Sequence, residues 1–351
     1  MKKIIASRFS QNLAGWGLML ILALVAKYVS ELIVVSGKNP VEDVLIAIIF
    51  GIIIRNTINI PSVFMPGIQK FEKILALGIV LLGAGLSLSQ LVSSAYEAVG
   101  VVSVCILVAP LIIYFLGRWA GLPQNLAILI GVGTTICGGT AIAIAAPIIE
   151  AEDSEVSYSI ATIALFGLIA IFVYPFLAQF MGLSDKFFGL WAGTAIHSTP
   201  QVLAAGFSFS DEAGQIATIT KLFRNLFIIP TVVILGFWIA KQKHEKNSKK
   251  INKKTDLFKA VPGFLYGFVI FVIVRTLGDH IQFLPEPVWT NLIIYSKATA
   301  KFLILVAMAG IGLRSDLFAM RKIGFRPFYV GLAGSIILAG ISFILVRVAV
   351  S

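Results

Sequence analysis

Residues 133–147 read GTTICGGTAIAIAAP, inside an apolar run that spans 124–149. The run is greasy enough to be embedded in a membrane, yet it is written as a poor helix. Gly131, Gly133, Gly138 and Gly139 each weaken a helix by about 1 kcal/mol relative to alanine. Thr134, Thr135 and Thr140 add hydroxyls, and Pro147 removes a backbone donor. In hydrocarbon, a broken helix is tolerated only where the freed backbone groups are buried in protein or line a wet cavity. Two readings follow. In one, an interrupted helix presents free N–H groups and a half-helix N-terminus to an anion. In the other, small residues simply let two helices pack closely. The stretch alone does not decide between them.

Composition sets the class. Of 351 residues, 58% are hydrophobic and 13% charged, against about 25% charged in a soluble domain. Apolar runs of the length needed to cross hydrocarbon recur along the chain, so the expected fold is an all-α polytopic membrane protein. Eleven segments are read, at approximately 13–34, 42–60, 72–91, 98–117, 124–149, 157–180, 187–206, 214–240, 260–278, 290–313 and 327–349. The net charge of +11 fits basic cytoplasmic loops and needs no nucleic acid. Cys105 and Cys137 both fall in apolar runs, so neither a structural disulfide nor a metal site is expected. The N-terminus resembles a signal peptide, but its long apolar part and the spans that follow favour an uncleaved first helix.

Loop charges give the topology. One set holds Lys2, Lys3, Arg8, Arg55, Lys70, Lys73, Arg118, Lys186, the tract KQKHEKNSKKINKK at 241–254, and Arg314, Arg321, Lys322 and Arg326. The other holds Glu31, Glu42, Asp43, Glu97, the cluster Glu150, Glu152, Asp153 and Glu155, then Asp211, Glu212, Asp279 and Glu286. The first set marks the cytoplasmic side, which places the N-terminus inside and the C-terminus outside a plasma membrane. Lys27, Lys38, Arg275 and Arg347 break the pattern. Along the chain this divides residues 1–40 (tail and first helix), 41–240 (first helix group), 241–259 (a Lys-rich cytoplasmic linker, or a lipid-binding patch) and 260–351 (C-terminal helices).

Two internal echoes appear. LLGAGLSLSQL at 81–91 resembles MAGIGLRSDL at 308–317, pairing Gly83 with Gly310 and Gly85 with Gly312 in inverted orientation. GTTICGGTA at 133–141 resembles GTAIHSTPQ at 193–201, each followed by an acidic loop assigned to the outside. Inverted repeats with interrupted helices mark secondary transporters.

The second copy adds chemistry. His197, Ser198, Thr199 and Gln201 surround Pro200 in the span 187–206, where an ionisable group is by default a functional candidate. Lys221 and Arg224 follow at i, i+3 spacing on one face of the next span. Lys297 and Lys301 fit snorkelling better. All 17 acidic residues fall in loops or at span ends, so the buried ionisable groups are cations. A cationic, hydroxyl-lined site suits an oxyanion. No nucleotide, metal or nucleophile-elbow motif occurs; Cys137 would need an activating base, which His197 could supply in principle across the repeat, and no enzyme activity is expected.

Taken together, GTTICGGTAIAIAAPIIEAEDSEVSYSIATIALFG, GTAIHSTPQVLAAG and ITKLFRNLFIIP resemble the YeiH-like membrane proteins, a family named for sulfate export, from roughly residue 40 onward. That family is grouped with the bile-acid symporter and cation:proton antiporter-like superfamily. The resemblance implies panel and core domains, two broken and crossing helices, and export of sulfate or a related sulfur oxyanion. Cys137, Gly138, His197, Gln201, Lys221 and Arg224 match the family pattern. Where many relatives carry an acidic residue and Val-Ala after the histidine, this chain has Ser198, Thr199 and Pro200, which puts ion coupling in question.

The expectation is a secondary transporter of a small anion working by alternating access. Thr134, Thr135, Cys137, Gly138, Gly139, Thr140, His197, Ser198, Thr199 and Gln201 form the binding region. Lys221 and Arg224 compensate the charge, and His197 can couple a proton. A sodium- or proton-coupled symporter of a larger organic anion, a membrane anion sensor and a thiol-dependent enzyme are the alternatives. The partners expected are a small anion and membrane lipid, with a homodimer admitted; no cofactor, metal or nucleic acid is expected.

Overall fold

The computed structural model describes residues 2–33, 42–242, 262–281, 284–320 and 324–350. The Lys-rich stretch from 243 to 259 lies outside the described residues. In chain order the helices are α1 Lys2–Leu32, α2 Asp43–Thr57, α3 Met65–Ile68, α4 Phe71–Leu82 with a 3-10 turn Gly83–Gly85, and α5 Leu88–Trp119. There follow α6 Gln124–Thr135, α7 Gly139–Ile149, α8 Asp153–Phe180, α9 Asp185–Ala195, α10 Thr199–Phe209, α11 Asp211–Leu226 and α12 Ile228–Gln242. The last are α13 Gly263–Ile281, α14 Glu286–Arg314, α15 Leu317–Met320 and α16 Phe325–Val350. No strand occurs among the described residues, and seven helical stretches are long and apolar enough to cross a membrane. The chain is an all-α polytopic membrane protein.

The helices fall into two compact units. The first comprises Met1–Val92, Phe207–Phe209 and Gly263–Ala319; the second comprises Ser93–Gly206, Ser210–Pro262 and Met320–Ser351. Both are discontinuous, so the compact units cut across a division made along the chain.

In the first unit α14 packs against α1, α2 and α4. Its contact with α2 is main chain on main chain. A β-carbon on Gly312 would stand 2.3 Å from the Ile48 carbonyl oxygen, and one on Gly51 would stand 2.7 Å from the Leu313 nitrogen. Small residues give membrane helices this close approach. The glycine echo lies here. Its first copy ends α4 and its second lies in the last turns of α14, each followed by two residues outside any helix. Phe71 lies against Gly310 and Lys297 against Gly85, so α4 and α14 are antiparallel and the two copies run in opposite directions.

The second unit holds the other echo, and its register is regular. With an offset of sixty residues, α6 stops at Thr135 and α9 at Ala195, and α7 starts at Gly139 and α10 at Thr199. Each interruption is three residues long, Ile136–Cys137–Gly138 and Ile196–His197–Ser198. Both helices are thus interrupted where the sequence placed the breaks. After each interruption the chain turns back. A β-carbon on Gly133 would stand 2.8 Å from Ile142 Cδ1, a contact that folds α7 against α6. At the far end of the second pair, Ser210 donates a hydrogen bond to Asp185, which closes α9 and α10 into a hairpin. At 12 and 11 residues α6 and α7 are each roughly 17 Å long, about half of a hydrocarbon core.

The two hairpins enter the unit from opposite ends. The base of the first lies near Arg118 and Arg326: the Arg118 guanidinium donates to the Leu122 carbonyl at 2.6 Å, and Arg326 packs at Gly121. The base of the second lies near Glu97, which pairs with Lys186 at 2.7 Å. One expectation from the charge pattern is therefore corrected. The Glu150–Glu155 loop is at the end that carries Arg118, and Lys186 is at the end that carries Glu97. A segment that re-enters returns to the side it left, so each hairpin swaps the side of the loop that follows it.

Local chemistry sets the hairpin ends. Glu152 and Glu155 form a capping box at the start of α8, with the Glu152 amide donating to Glu155 at 2.9 Å. Ser184 caps α9, and Ser210 caps α11 by accepting from the Ala213 amide at 3.0 Å. Gly189 and Gly193 let α9 lie flat on α11, since a β-carbon on Gly193 would stand 2.6 Å from Thr220 Cβ.

Candidate functional site

The hairpin tips meet. Gly138 begins α7 with φ at +70°, a conformation L side chains rarely adopt, and a β-carbon there would stand 3.3 Å from Ser198 Cβ. Glycine is thus demanded by the backbone angle, with Ser198 in van der Waals range of any added carbon. Ser198 begins α10 in a capping box with Gln201, whose side-chain oxygen accepts from the Ser198 amide at 3.0 Å. The Gln201 amide nitrogen lies 3.4 Å from the Ala164 carbonyl oxygen on α8.

Lys221 and Arg224 join the two tips from one face of α11, and both are fully buried. The Lys221 ammonium donates to the carbonyls of Ile136 at 2.9 Å and Ile196 at 3.0 Å, and to that of His197. Arg224 donates through Nε to Thr135 at 2.6 Å, through Nη1 to Ile196 at 2.7 Å and Gly193 at 3.4 Å, and through Nη2 to Thr134. Every acceptor is a main-chain oxygen at the C-terminal end of α6 or α9 or in the interruption that follows. Those carbonyls have lost their helical partners, and the cations satisfy them where the helix dipole favours positive charge. Among the described residues no carboxylate takes part.

The predicted residues separate into distinct places. Thr134 and Thr135 contribute carbonyls to Arg224, and the Thr135 hydroxyl donates back to Gly131 at 2.8 Å. Cys137 is buried in an apolar cluster with Ile136, Ile142 and Ile163. Gly139 is half-buried with nothing within 4 Å of a β-carbon, and Thr140 is exposed. Ser198 and Thr199 are half-buried, and Thr199 accepts from the Asn225 side chain at 3.2 Å. His197 is buried with Nε2 3.0 Å from the Ser335 hydroxyl on α16. The partly open starts of α7 and α10 thus lie beside each other, with the two cations buried behind them. Lys297 and Lys301 belong to α14 in the first unit, half-buried and exposed respectively.

Asn225 and Ser335 belong to the site without having been expected there. Asn225 was legible as a polar neighbour of Arg224 in an apolar span, whereas Ser335 sits in a run of small residues that signals packing. Thr134 Oγ1, His197 Nδ1, Thr220 Oγ1 and Asn225 Oδ1 are buried with no hydrogen-bond partner in the protein. Buried polar groups are ordinarily bonded, and among the described residues these four atoms of the second unit are not.

Comparison with known proteins agrees with a membrane family. Residues 14–331 match the family model described as Conserved hypothetical protein 698. A UPF0324 membrane protein of Oceanobacillus iheyensis is 33% identical over 95% of this chain and 94% of its own length. One from Nitratidesulfovibrio vulgaris is 33% identical over 93% of this chain and 90% of its own, and one from Streptococcus agalactiae is 34% identical over 93% and 94%. No solved structure matches the chain. The chain belongs to the Conserved hypothetical protein 698 family.

Proposed function

We propose that this member of the Conserved hypothetical protein 698 family is a secondary transporter that carries a small anion across the plasma membrane by alternating access. The observation that carries the reading is the charge at the hairpin tips. Two buried cations make hydrogen bonds only to main-chain carbonyls, with no carboxylate among their partners. The two half-helix C-termini supply roughly −0.5 each and face the Lys221 and Arg224 donors. The starts of α7 and α10 add roughly +0.5 each. A buried excess of positive charge is costly unless it is paired, and an anion at the tips pairs it.

The cations sit behind this site rather than in it. All three Lys221 donors are taken by carbonyls, so the anion is held by the first amides of α7, the exposed Thr140 hydroxyl and the hydroxyls of Ser198 and Thr199. Main-chain amides at a helix start suit an oxyanion. The resemblance to the YeiH-like proteins favours sulfate or a related sulfur oxyanion, moved outward, with the N-terminus in the cytoplasm. To His197, whose Nε2 lies 3.0 Å from the Ser335 hydroxyl, we assign the passing of a proton during the cycle. No catalytic step is assigned to Cys137.

Flux into proteoliposomes tests the proposal. Labelled sulfate, sulfite, thiosulfate or a sulfonate is expected to exchange across the bilayer with the wild-type protein and not with Gly139→Val. Binding without flux would instead make the chain a sensor, and flux that needs a sodium gradient would make it a sodium symporter.

A further inference from the structure

Three carbonyl oxygens surround the Lys221 ammonium, those of Ile136 at 2.9 Å, Ile196 at 3.0 Å and His197. They come from the unwound ends of two half-helices that enter from opposite ends of the unit. Carbonyls at half-helix C-termini are the groups with which secondary transporters hold a coupling cation. They attract positive charge through the helix dipole. An ammonium offers three donors and no acceptor, and here all three donors are spent on the cage. Arg224 shares the Ile196 oxygen and closes the cage on its other side through Thr134, Thr135 and Gly193.

We infer that Lys221 Nζ is the resident cation of this carbonyl cage, a tethered ammonium in the place a dissolved monovalent cation would take, so that the tips assemble without sodium. The stem of Lys221 comes from α11, so the cation cannot leave by diffusion. Both tips are tied through it to one helix. Among the described residues no Asp or Glu bonds to Lys221 or Arg224, so a dissolved cation placed beside the ammonium would meet like charge. This concerns how the tips are held and stands whether or not an anion is carried.

Thermal unfolding of the purified full-length protein tests it, in sodium, potassium, ammonium, methylammonium and choline chloride at one ionic strength. The wild type is expected to unfold at the same temperature in sodium and in choline. Lys221→Ala is expected to unfold several degrees lower in choline, and to regain most of that loss in ammonium, methylammonium or sodium, whose ions fit the emptied cage. Lys221→Arg, which keeps the charge, is expected to be indifferent to the cation. A wild type raised by sodium over choline overturns the inference, as does a folded Lys221→Ala that responds to no small cation. If Lys221→Ala is recovered only when ammonium is present, that recovery is the rescue. If it is recovered in no salt, the wild-type comparison decides. Sulfate and thiosulfate titrations run in parallel keep this separate from the function. An anion response together with a sodium response removes the tethered cation and leaves the transporter, and cation rescue without any anion response does the reverse.

Discussion

Asp185 and Ser210 stand twenty-five residues apart, at the two ends of one apolar segment, and hydrogen-bond to each other. A continuous helix of that length would hold them roughly 37 Å apart, so the segment re-enters and leaves by the end at which it came in. In the earlier segment Gly133 lies against Ile142 across the interruption, so the chain turns sharply there too.

Re-entry predicts loop sidedness. In a Cys105→Ser, Cys137→Ser background, Ala120→Cys and Ser154→Cys should react with an impermeant maleimide from the same face of the membrane. Ser184→Cys and Glu212→Cys should react together from the other face. Single crossings would put the two members of each pair on opposite faces. Labelling of oriented vesicles distinguishes the outcomes.

Arg224 holds four carbonyls from both tips. Its removal strands buried main-chain acceptors, and a buried acceptor left unsatisfied costs about 1–3 kcal/mol. Arg224→Ala should therefore destabilise the protein by that order in reversible denaturant unfolding. Arg224→Lys should restore only part, because an ammonium cannot reproduce the guanidinium fork. A loss under about 1 kcal/mol for Arg224→Ala, the size of one ordinary hydrogen bond, would mean that the cation does not tie the tips.

Neighbouring glycines should behave in opposite ways. Gly138→Ala meets a left-handed backbone angle and Ser198 at 3.3 Å, and should cost about 1–3 kcal/mol of stability. Gly139→Ala meets nothing within 4 Å and should leave unfolding unchanged or slightly improved. Its methyl would instead crowd the first amides of α7 and weaken anion binding by at least about tenfold, or 1.4 kcal/mol. Equal effects on stability and binding at both positions would remove the distinction between hinge and site.

How much of this was legible follows from what a sequence encodes. The interruptions were, because glycine and threonine weaken a helix interior and the sixty-residue echo marks both helix ends, although Pro147 lies inside α7 and Pro200 in the first turn of α10. The reversal was not. A break that continues and a break that turns back carry the same local residues, and the acidic run after Ile149 pulled its loop to the wrong side. Lys221 and Arg224 were legible as buried cations, but their partners are carbonyl oxygens, which no residue letter records. Ser335 meets His197 across 138 positions, and nothing in its own run of small residues announces that contact.

Cys137 carries the one thiol of residues 133–147. Its thiol lies among Ile136, Ile142 and Ile163 and also meets the Ala141 amide and the Thr140 side chain, with no base beside it to activate it. Cys137→Ala should keep anion flux within about twofold of wild type and cost the 1 kcal/mol or so of one buried methylene-sized group. Abolished flux in a well-folded Cys137→Ala protein would restore a thiol-dependent reading.

The central claim is that the hairpin tips hold an anion, and a thermal-shift titration of the purified protein against sulfate, sulfite, thiosulfate, sulfonates and carboxylates tests it most directly. A ligand at 100 times its Kd stabilises the folded state by about 2.7 kcal/mol. At least one of these anions should raise the unfolding temperature of the wild type in a saturable way, and the rise should vanish in Gly139→Val. No stabilisation by any of them, or a rise that survives unchanged in Gly139→Val, would contradict the account.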